Sequence, residues 1–427
     1  MKLGLALNLA AAFFSWAVAN LMLAPVLPYI KAELSLTPLA LGVVAASFGW
    51  PYALMQIPVG VLSDRYEPRR LVVGSMLVLF FSSLAFAASP NAAFLIASRV
   101  GIGLGSSFIF VVGLKAIEIY YEKRERGKAM GIFLSALSLA IIGIGAIVPF
   151  LLAVWGLSWR VVFALASFSA LFTALLALLV FPRGLLSQRK ADGPARHELV
   201  PELKQVVRNR YFWIQNLISF VVVGSYLGLF YWIPSYFVAG GLGITLGGVA
   251  VSLIGVGSLV GSAAGGWLTD RIRRRKPLLI GALLLYSATI LLIVVVPVGA
   301  SLLLLIFPAV FLMGVSSGGH IVNTRLVIEI FPKNLAGTAL GINNMMKFLG
   351  LASYSALVGA LLTFGFTYQQ SFLVLLASTV LSLVMSFLAL ETAPSTEEGR
   401  RTRQSEPPAT LARTRPAEQT RLRRPGT

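Results

Sequence analysis

Three basic residues lie well inside long apolar stretches of the sequence, two of them deep and the third nearer one end. They are Lys347, His320 and Arg99. A charge at bilayer depth costs several kcal/mol unless it is paired or faces water. None of the 16 Asp and Glu residues falls in the middle of such a stretch, so no acid is at hand to pair with these cations. Because a cavity lined by cations attracts anions, the pattern predicts a site for a small carboxylate or phosphorylated compound.

Polar residues recur at helical spacing around these cations. Asn343 and Tyr354 share a helix face with Lys347, and Asn323 shares one with His320. Amide and phenol groups in the first two apolar stretches are further candidates for the same cavity. The predicted substrate-binding residues are Lys347, His320, Asn343, Tyr354, Arg99, Asn20, Tyr52, Gln56 and Asn323.

Four of these residues also have a structural interpretation. Lys347 can bond to backbone carbonyls inside a helix bundle, and His320 can be a satisfied interior histidine. Arg99 can serve helix packing, and Tyr52 can pack at a helix interface. The sequence leaves these alternatives open.

The composition places the chain in the membrane class. It is 57% hydrophobic and 12% charged, whereas soluble domains are about one quarter charged. The chain has no cysteine and only two histidines, His197 and His320, so we expect no disulfide, no metal site and no cofactor.

The elements that carry these residues are predicted to be membrane-spanning helices, which need about 20 apolar residues each. We expect an all-α membrane protein with twelve such helices in two six-helix bundles, 1–181 and 211–391. A cytoplasmic linker, 182–210, and a disordered tail, 392–427, complete the predicted domains. The apolar runs are 3–27, 38–62, 70–89, 92–118, 128–153, 160–181, 211–238, 246–268, 277–297, 301–330, 336–362 and 368–391.

Most of the 35 Lys and Arg residues lie in alternate loops and in the C-terminal tail, which sets the predicted orientation. Loops on the other side hold only Lys31 and Arg160. Because cytoplasmic loops carry excess Lys and Arg, we expect both termini in the cytoplasm and the chain in the inner (plasma) membrane. The net charge of +19 is thus a topology signal, and we expect no nucleic-acid partner. The basic loops are 63–70, 119–128, 182–210, 269–277 and 331–335.

A short loop sequence occurs twice and indicates duplicated halves. Gly60-Val-Leu-Ser-Asp-Arg65 recurs 206 positions later as Gly266-Trp-Leu-Thr-Asp-Arg271. Farther along the offset becomes 210, where Ser106-Ser107 matches Ser316-Ser317. Repeated halves of several helices each are typical of transporters.

The repeated loop resembles the signature of the major facilitator superfamily between its second and third helices. Leu95, Arg99, Gly103 and Gly105 resemble the fourth-helix motif of that superfamily. The first loop departs from the signature at Glu67-Pro68. The segment 48–58 is similar to the organic-anion branch, and the Gly-Pro pair of drug antiporters is missing from 143–149.

The resemblance implies a latch on the cytoplasmic side. In it, Asp64 and Asp270 would accept hydrogen bonds from helix starts in the other half, near Gly337 and Gly127, because a helix start favours anions. The alternative is that the arginines are a solvated topology signal. The predicted gate residues are Asp64, Arg65, Asp270, Arg271, Gly60 and Gly266.

The mode of transport stays open in the sequence. Coupling to protons would use His320, Glu118 or Glu329, although both carboxylates also have a basic partner at helical spacing. Exchange for a counter-anion and facilitated diffusion fit equally well. A multidrug/proton antiporter and a carrier of a neutral sugar-like solute are the alternative functions, and an enzyme or receptor is the third. We expect a monomer whose partners are a small anion and the lipid bilayer.

Overall fold

The fold is a bundle of long helices. The computed structural model describes residues 2–182, 199–272 and 274–392. Residues 183–198 of the predicted linker and the tail beyond 392 lie outside the described residues, as do the side chains of Asp64 and Asp270. The helices are Lys2–Leu21, Leu23–Leu34, Pro38–Arg65, Pro68–Ala87, Ala92–Tyr120, Lys123–Ala153, Trp159–Val180, Leu199–Val207, Arg210–Ala239, Gly243–Ile272, Lys276–Val295, Leu303–Ser316, Gly318–Glu329, Lys333–Thr363 and Tyr368–Ser386.

Twelve stretches of these described helices are long and apolar enough to cross a membrane, as the sequence predicts. We number them span 1 to span 12 in chain order. Span 1 combines the first two helices (Lys2–Leu34), and span 10 runs over Ala300–Glu329. The fold class expected from the sequence, two pseudo-symmetric six-helix bundles, is confirmed.

Spans 1 and 10 are each interrupted near their middle. In span 1 the helix ends at Leu21 and restarts at Leu23. Pro25 has no backbone N–H, so the Leu21 carbonyl loses its helical partner there. In span 10 the break at Ser317 precedes the pair Gly318-Gly319, and glycine weakens a helix interior. Both breaks leave backbone groups for side chains or ligands to use.

Equivalent contacts in the two halves make the pseudo-symmetry visible at single side chains. The hydroxyls of Ser15 and Thr173 lie 3.3 Å apart between spans 1 and 6. The hydroxyls of Ser225 and Thr379 lie 3.3 Å apart between spans 7 and 12. Each half therefore closes on itself in the same way.

Spans 8 and 10 approach each other through glycines. A Cβ added at Gly261 would collide with the backbone of Val315, and one at Gly257 would collide with that of Phe311. Such close backbone approach is typical of packing between membrane helices. The seam holds the broken span 10 in place.

We predict that Gly261→Ala destabilises the fold by about 1–3 kcal/mol, because backbone atoms cannot move aside as a flexible side chain can. The measurement is thermal unfolding in detergent. The matched control is Gly266→Ala on the same helix, where an added Cβ meets nothing within 4 Å. Equal melting temperatures for the two variants would contradict the tight seam.

The two halves contact each other from one membrane surface inward past the middle of the spans. We call this surface the opposite face. It carries the connections 35–37, 88–91, 154–158, 240–242, 296–299 and 364–367. There a Cβ at Gly42 of span 2 would lie 3.1 Å from the Gly359 Cα of span 11. A Cβ at Gly145 of span 5 would lie 2.5 Å from the Ser252 nitrogen of span 8. Backbones of the two halves therefore touch at both pairs of spans.

The other surface, which we call the basic face, carries the connections after spans 2, 4, 8 and 10. Near it, added Cβ atoms at Gly60 of span 2, Gly127 of span 5 and Gly337 of span 11 meet nothing within 4 Å. The glycine contacts between the halves at Gly42 and Gly145 are therefore near the opposite face, whereas Gly60, Gly127 and Gly337 near the basic face look onto open space.

Candidate functional site

Lys347 and His320, the two basic residues found deep in the apolar stretches of the C-terminal half, line one cavity. It lies between spans 7, 9, 10 and 11 and, in this conformation, has room for about one water molecule. Leu279, Leu283 and Val222 supply part of its apolar wall. The structure thus brings together the two residues on which the predicted anion site depends.

The Lys347 ammonium is only partly used by the protein. It donates one hydrogen bond, 2.7 Å long, to the Thr324 hydroxyl of span 10. That hydroxyl in turn donates to the His320 carbonyl at 2.8 Å. An ammonium has three N–H donors, and Thr324 is its one hydrogen-bond partner among the described residues. Two donors therefore remain available to a ligand.

His320 and Tyr286 add further hydrogen-bonding groups to the cavity. The His320 ring stands edge-on to Tyr226, with centroids 5.3 Å apart. The Tyr286 hydroxyl is buried and has no hydrogen-bond partner within the described chain. Because no carboxylate appears among the residues lining the cavity, its charge is that of the Lys347 ammonium, which favours an anionic ligand.

Asn343 and Asn323 belong to a buried amide network that joins spans 7, 10 and 11. Asn343 Nδ2 donates to Asn216 Oδ1 at 3.2 Å and to Ser219 Oγ at 2.8 Å. Asn323 Nδ2 donates to Gln215 Oε1 at 2.8 Å. The network holds span 11, and with it Lys347, against span 7. Sequence reasoning missed Gln215, Asn216 and Ser219, although their spacing on span 7 was a signal.

Tyr354 lies in a helix seam. A Cβ at Gly228 of span 7 would sit 3.1 Å from the Tyr354 Cβ, and Gly350 presses against the backbone of Phe220. The face that Tyr354 shares with Lys347 therefore packs on span 7 along most of its length and meets the cavity at Lys347. A ligand role for Tyr354 stays a prediction.

Tyr52 and Gln56 of span 2 lie where the two halves meet. The Asn344 amide of span 11 donates to Gln56 Oε1 at 2.7 Å. The rings of Tyr52 and Phe348 have centroids 3.9 Å apart. Sequence reasoning missed Asn344 and Phe348, which face span 2 because successive helix positions turn by about 100°.

Arg99 is fully buried near the opposite face, away from Lys347. Its guanidinium donates to the carbonyls of Ala19 and Asn20, at 3.2 and 3.3 Å, just before the break in span 1. It also donates to Asn20 Oδ1 at 3.3 Å and contacts the Tyr231 hydroxyl at 3.4 Å. Tyr231 of span 7 donates to Asn20 Oδ1 at 2.6 Å. We call Arg99, Asn20 and Tyr231 the opposite-face latch, because Tyr231 joins the second half to the first.

We predict that Tyr231→Phe loosens this latch. Loss of a hydrogen bond costs about 1 kcal/mol. This changes the ratio between the closed and the separated state by about fivefold. The measurement is the distance distribution between spin labels on cysteines replacing Leu39 and Phe364, in a chain that has no native cysteine. We expect about five times more of the separated state.

The matched control for the latch is Tyr236→Phe on the same helix. Its hydroxyl donates to the Ile293 carbonyl at 3.3 Å inside the second half, so its loss should leave the distances unchanged. Identical distributions for Tyr231→Phe and the unmodified chain would show that the latch does not hold the opposite face.

The predicted gate residues lie at the basic face. Arg65 and Arg271 are exposed, and the Arg271 guanidinium sits 5.1 Å from the Trp267 ring centroid. The carboxylates of Asp64 and Asp270 lie outside the described part of the chain. Gly60 and Gly266 look onto open space.

The carboxylates considered for proton coupling lie at the same surface. Glu118 is exposed. Glu329 pairs with Arg275 at 3.2 Å, at the start of span 9. The Thr392 hydroxyl donates to the same carboxylate at 2.6 Å. Their part in coupling stays a prediction.

The sequence of this chain is similar to a known protein family and to named relatives. The chain matches the sequence model of the Major Facilitator Superfamily over residues 5–355 and again over 241–425. It is 26% identical over 374 residues to a gentisate transporter of Corynebacterium glutamicum, covering 84% of this chain and 81% of the relative. It is 22% identical over 397 residues to a probable galactarate/D-glucarate transporter of Bacillus subtilis, covering 84% and 85%.

Solved structures share the fold. A D-xylose-proton symporter superposes with a TM-score of 0.74 at 16% identity, over 92% of this chain and 98% of the other. A bacterial homologue of the lysosomal transporter Spinster, in an inward-facing and occupied conformation, gives a TM-score of 0.69 at 16% identity, over 90% and 96%. At these identities the likeness concerns the fold alone.

Proposed function

Since the chain belongs to the Major Facilitator Superfamily and is a transporter rather than an enzyme, we propose that it moves a small organic anion across the membrane. The observation that carries the proposal is the Lys347 ammonium, which among the described residues has two unused N–H donors and lines a cavity with no carboxylate in its described lining. A carboxylate or phosphate can accept hydrogen bonds from both N–H donors and also pair with the positive charge of the ammonium.

The relatives support an anionic substrate. The relatives named above are called transporters of gentisate and of galactarate or D-glucarate. The substrates named for the two relatives differ in their carbon skeletons, and all of them are acids. We therefore propose Lys347 as the residue that binds the acidic group, with His320 beside it.

Transport is proposed to follow alternating access. The opposite-face latch and the glycine contacts close one surface, whereas glycines of spans 2, 5 and 11 face open space at the other. A substrate would enter from the basic face, and the halves would then rock. Asp64 and Asp270 are proposed to close the basic face by accepting hydrogen bonds from helix starts in the other half.

The chain is a multi-pass membrane protein. We propose that the basic face is cytoplasmic, because its connections hold the Lys and Arg residues, and that the inner membrane houses a monomer with bundles at 1–181 and 211–391. Proton coupling through His320, Glu118 or Glu329 and exchange for a counter-anion remain the two proposed modes.

The experiment is a flux screen. The full chain is reconstituted in liposomes, and labelled anions, a neutral sugar and a lipophilic cation are offered with and without a pH gradient. The proposal expects uptake of anions only. Uptake of the lipophilic cation without any anion would replace it with drug export, and uptake of the sugar alone would replace it with a neutral carrier.

A further inference from the structure

Four aromatic rings from both halves meet where spans 1, 2 and 11 converge. The Trp16 and Phe348 centroids are 6.2 Å apart, and the Trp16 and Tyr52 centroids are 6.1 Å apart. Phe48 lies 5.5 Å from Tyr52. We call Trp16, Phe48, Tyr52 and Phe348 the aromatic cluster. Phe348 is its one member from the second half.

One polar group in the cluster lacks a partner. Trp16 is 6% exposed, and its indole Nε1 has no hydrogen-bond partner within the described chain. A buried indole N–H usually finds an acceptor, and leaving a buried donor unmade is costly. The free donor indicates that an acceptor arrives from outside the protein.

The cluster adjoins Lys347 along span 11, and none of its four residues is among those that line the cavity of Lys347 and His320. Phe348 follows Lys347 directly on span 11, so the two side chains leave the same helical turn about 100° apart. Phe348 faces Trp16 and Tyr52, whereas Lys347 faces Thr324 of span 10. A ligand whose acidic group meets Lys347 can thus extend toward the ring of Phe348.

We infer that the transported anion is a planar aromatic carboxylate carrying an oxygen substituent on its ring. Its carboxylate binds Lys347, its ring stacks against Phe348 and Tyr52, and its ring oxygen accepts from Trp16 Nε1. When the halves rock, Phe348 moves with the second half and separates from Trp16 and Tyr52, which opens a flat slot between the rings. The inference rests on the proposed anion transport and adds the class of the substrate.

The test compares three ligands of equal charge and similar size by calorimetry on the purified full chain. The ligands are cyclohexanecarboxylate, benzoate and 3-hydroxybenzoate. Stacking predicts that benzoate binds about three- to tenfold more tightly than cyclohexanecarboxylate. The unpartnered indole predicts a further gain of about fivefold for 3-hydroxybenzoate over benzoate.

Variants assign each gain to its residue. Phe348→Leu should abolish the advantage of benzoate over cyclohexanecarboxylate, and Phe348→Tyr should keep it. Trp16→Phe should keep that advantage and lose the gain from the ring hydroxyl. Phe163→Leu, which removes a fully buried ring of span 6 packed on Phe86, is the matched control and should change neither ratio.

The outcomes separate this inference from the proposed function. Equal binding of all three ligands, or flux of galactarate with no binding of benzoates, would overturn the aromatic class and leave anion transport standing. Absence of binding and flux for every anion would overturn both. Ratios that persist in Phe348→Leu would remove the aromatic cluster from the site.

Discussion

Replacing Lys347 with Gln should reduce anion uptake by at least about thirtyfold. The substitution keeps a polar side chain of similar length and removes the positive charge beside His320. Truncating one partner of a buried charge pair costs about 2–5 kcal/mol, and 2 kcal/mol is about thirtyfold in affinity. The measurement is initial uptake of the anion that the liposome screen identifies, over a range of concentrations. We expect the loss to appear mainly as weaker apparent affinity.

The control for this experiment is a cation outside the spans. Lys204 is exposed on the short helix before span 7, so Lys204→Gln removes the same charge without touching the cavity and should leave uptake unchanged. Anion uptake that survives Lys347→Gln with unchanged affinity would refute the assigned role of Lys347.

Locking the opposite face should stop transport completely. The Leu39 amide donates to Thr363 Oγ1 at 2.8 Å, joining the start of span 2 to the end of span 11. Covalent bond lengths then place the two Cα atoms within about 7 Å, which is inside the reach of a disulfide. In this cysteine-free chain, oxidising a Leu39→Cys/Thr363→Cys pair should abolish uptake, and a reductant should restore it.

Each single cysteine variant serves as a control for the lock. Both should transport in oxidising and reducing conditions alike, which separates the effect of the cross-link from the loss of the Thr363 hydroxyl. The extent of cross-linking is measured by mass spectrometry in the same sample. Full uptake by a fully cross-linked protein would show that the opposite face need not open, and alternating access would have to be abandoned.

The fold was predictable because its signals are long and repeated. Twenty apolar residues are needed to cross a bilayer, so twelve runs could be counted, and the loop at Gly60 and Gly266 marks the duplication without any structural knowledge. The ends of the helices were harder to predict from the sequence. Span 1 continues to Leu34, beyond the predicted residue 27, because the broken helix resumes after Met22 and runs past Pro28.

The site was predictable only in part, because helical periodicity tells which residues share a face and not what that face meets. Lys347 and His320 do line one cavity. Asn343 and Tyr354 share the face of Lys347 and lie against span 7 instead. Arg99 reaches Tyr231 across 132 residues of sequence, and no local pattern reveals such a contact.

Lys347 and Arg99 also show how the duplicated halves differ. At the offset of 210, the position that corresponds to Lys347 in the first half is Leu137, and the position that corresponds to Arg99 in the second half is Ala309. Each half therefore has one of these cations where the other half has an apolar residue. Under the proposed function, Lys347 of the second half holds the transported anion, and Arg99 of the first half belongs to the opposite-face latch. A chain assembled from two copies of either half would keep the architecture and lack one of these two tasks, so neither half is dispensable in spite of their common plan.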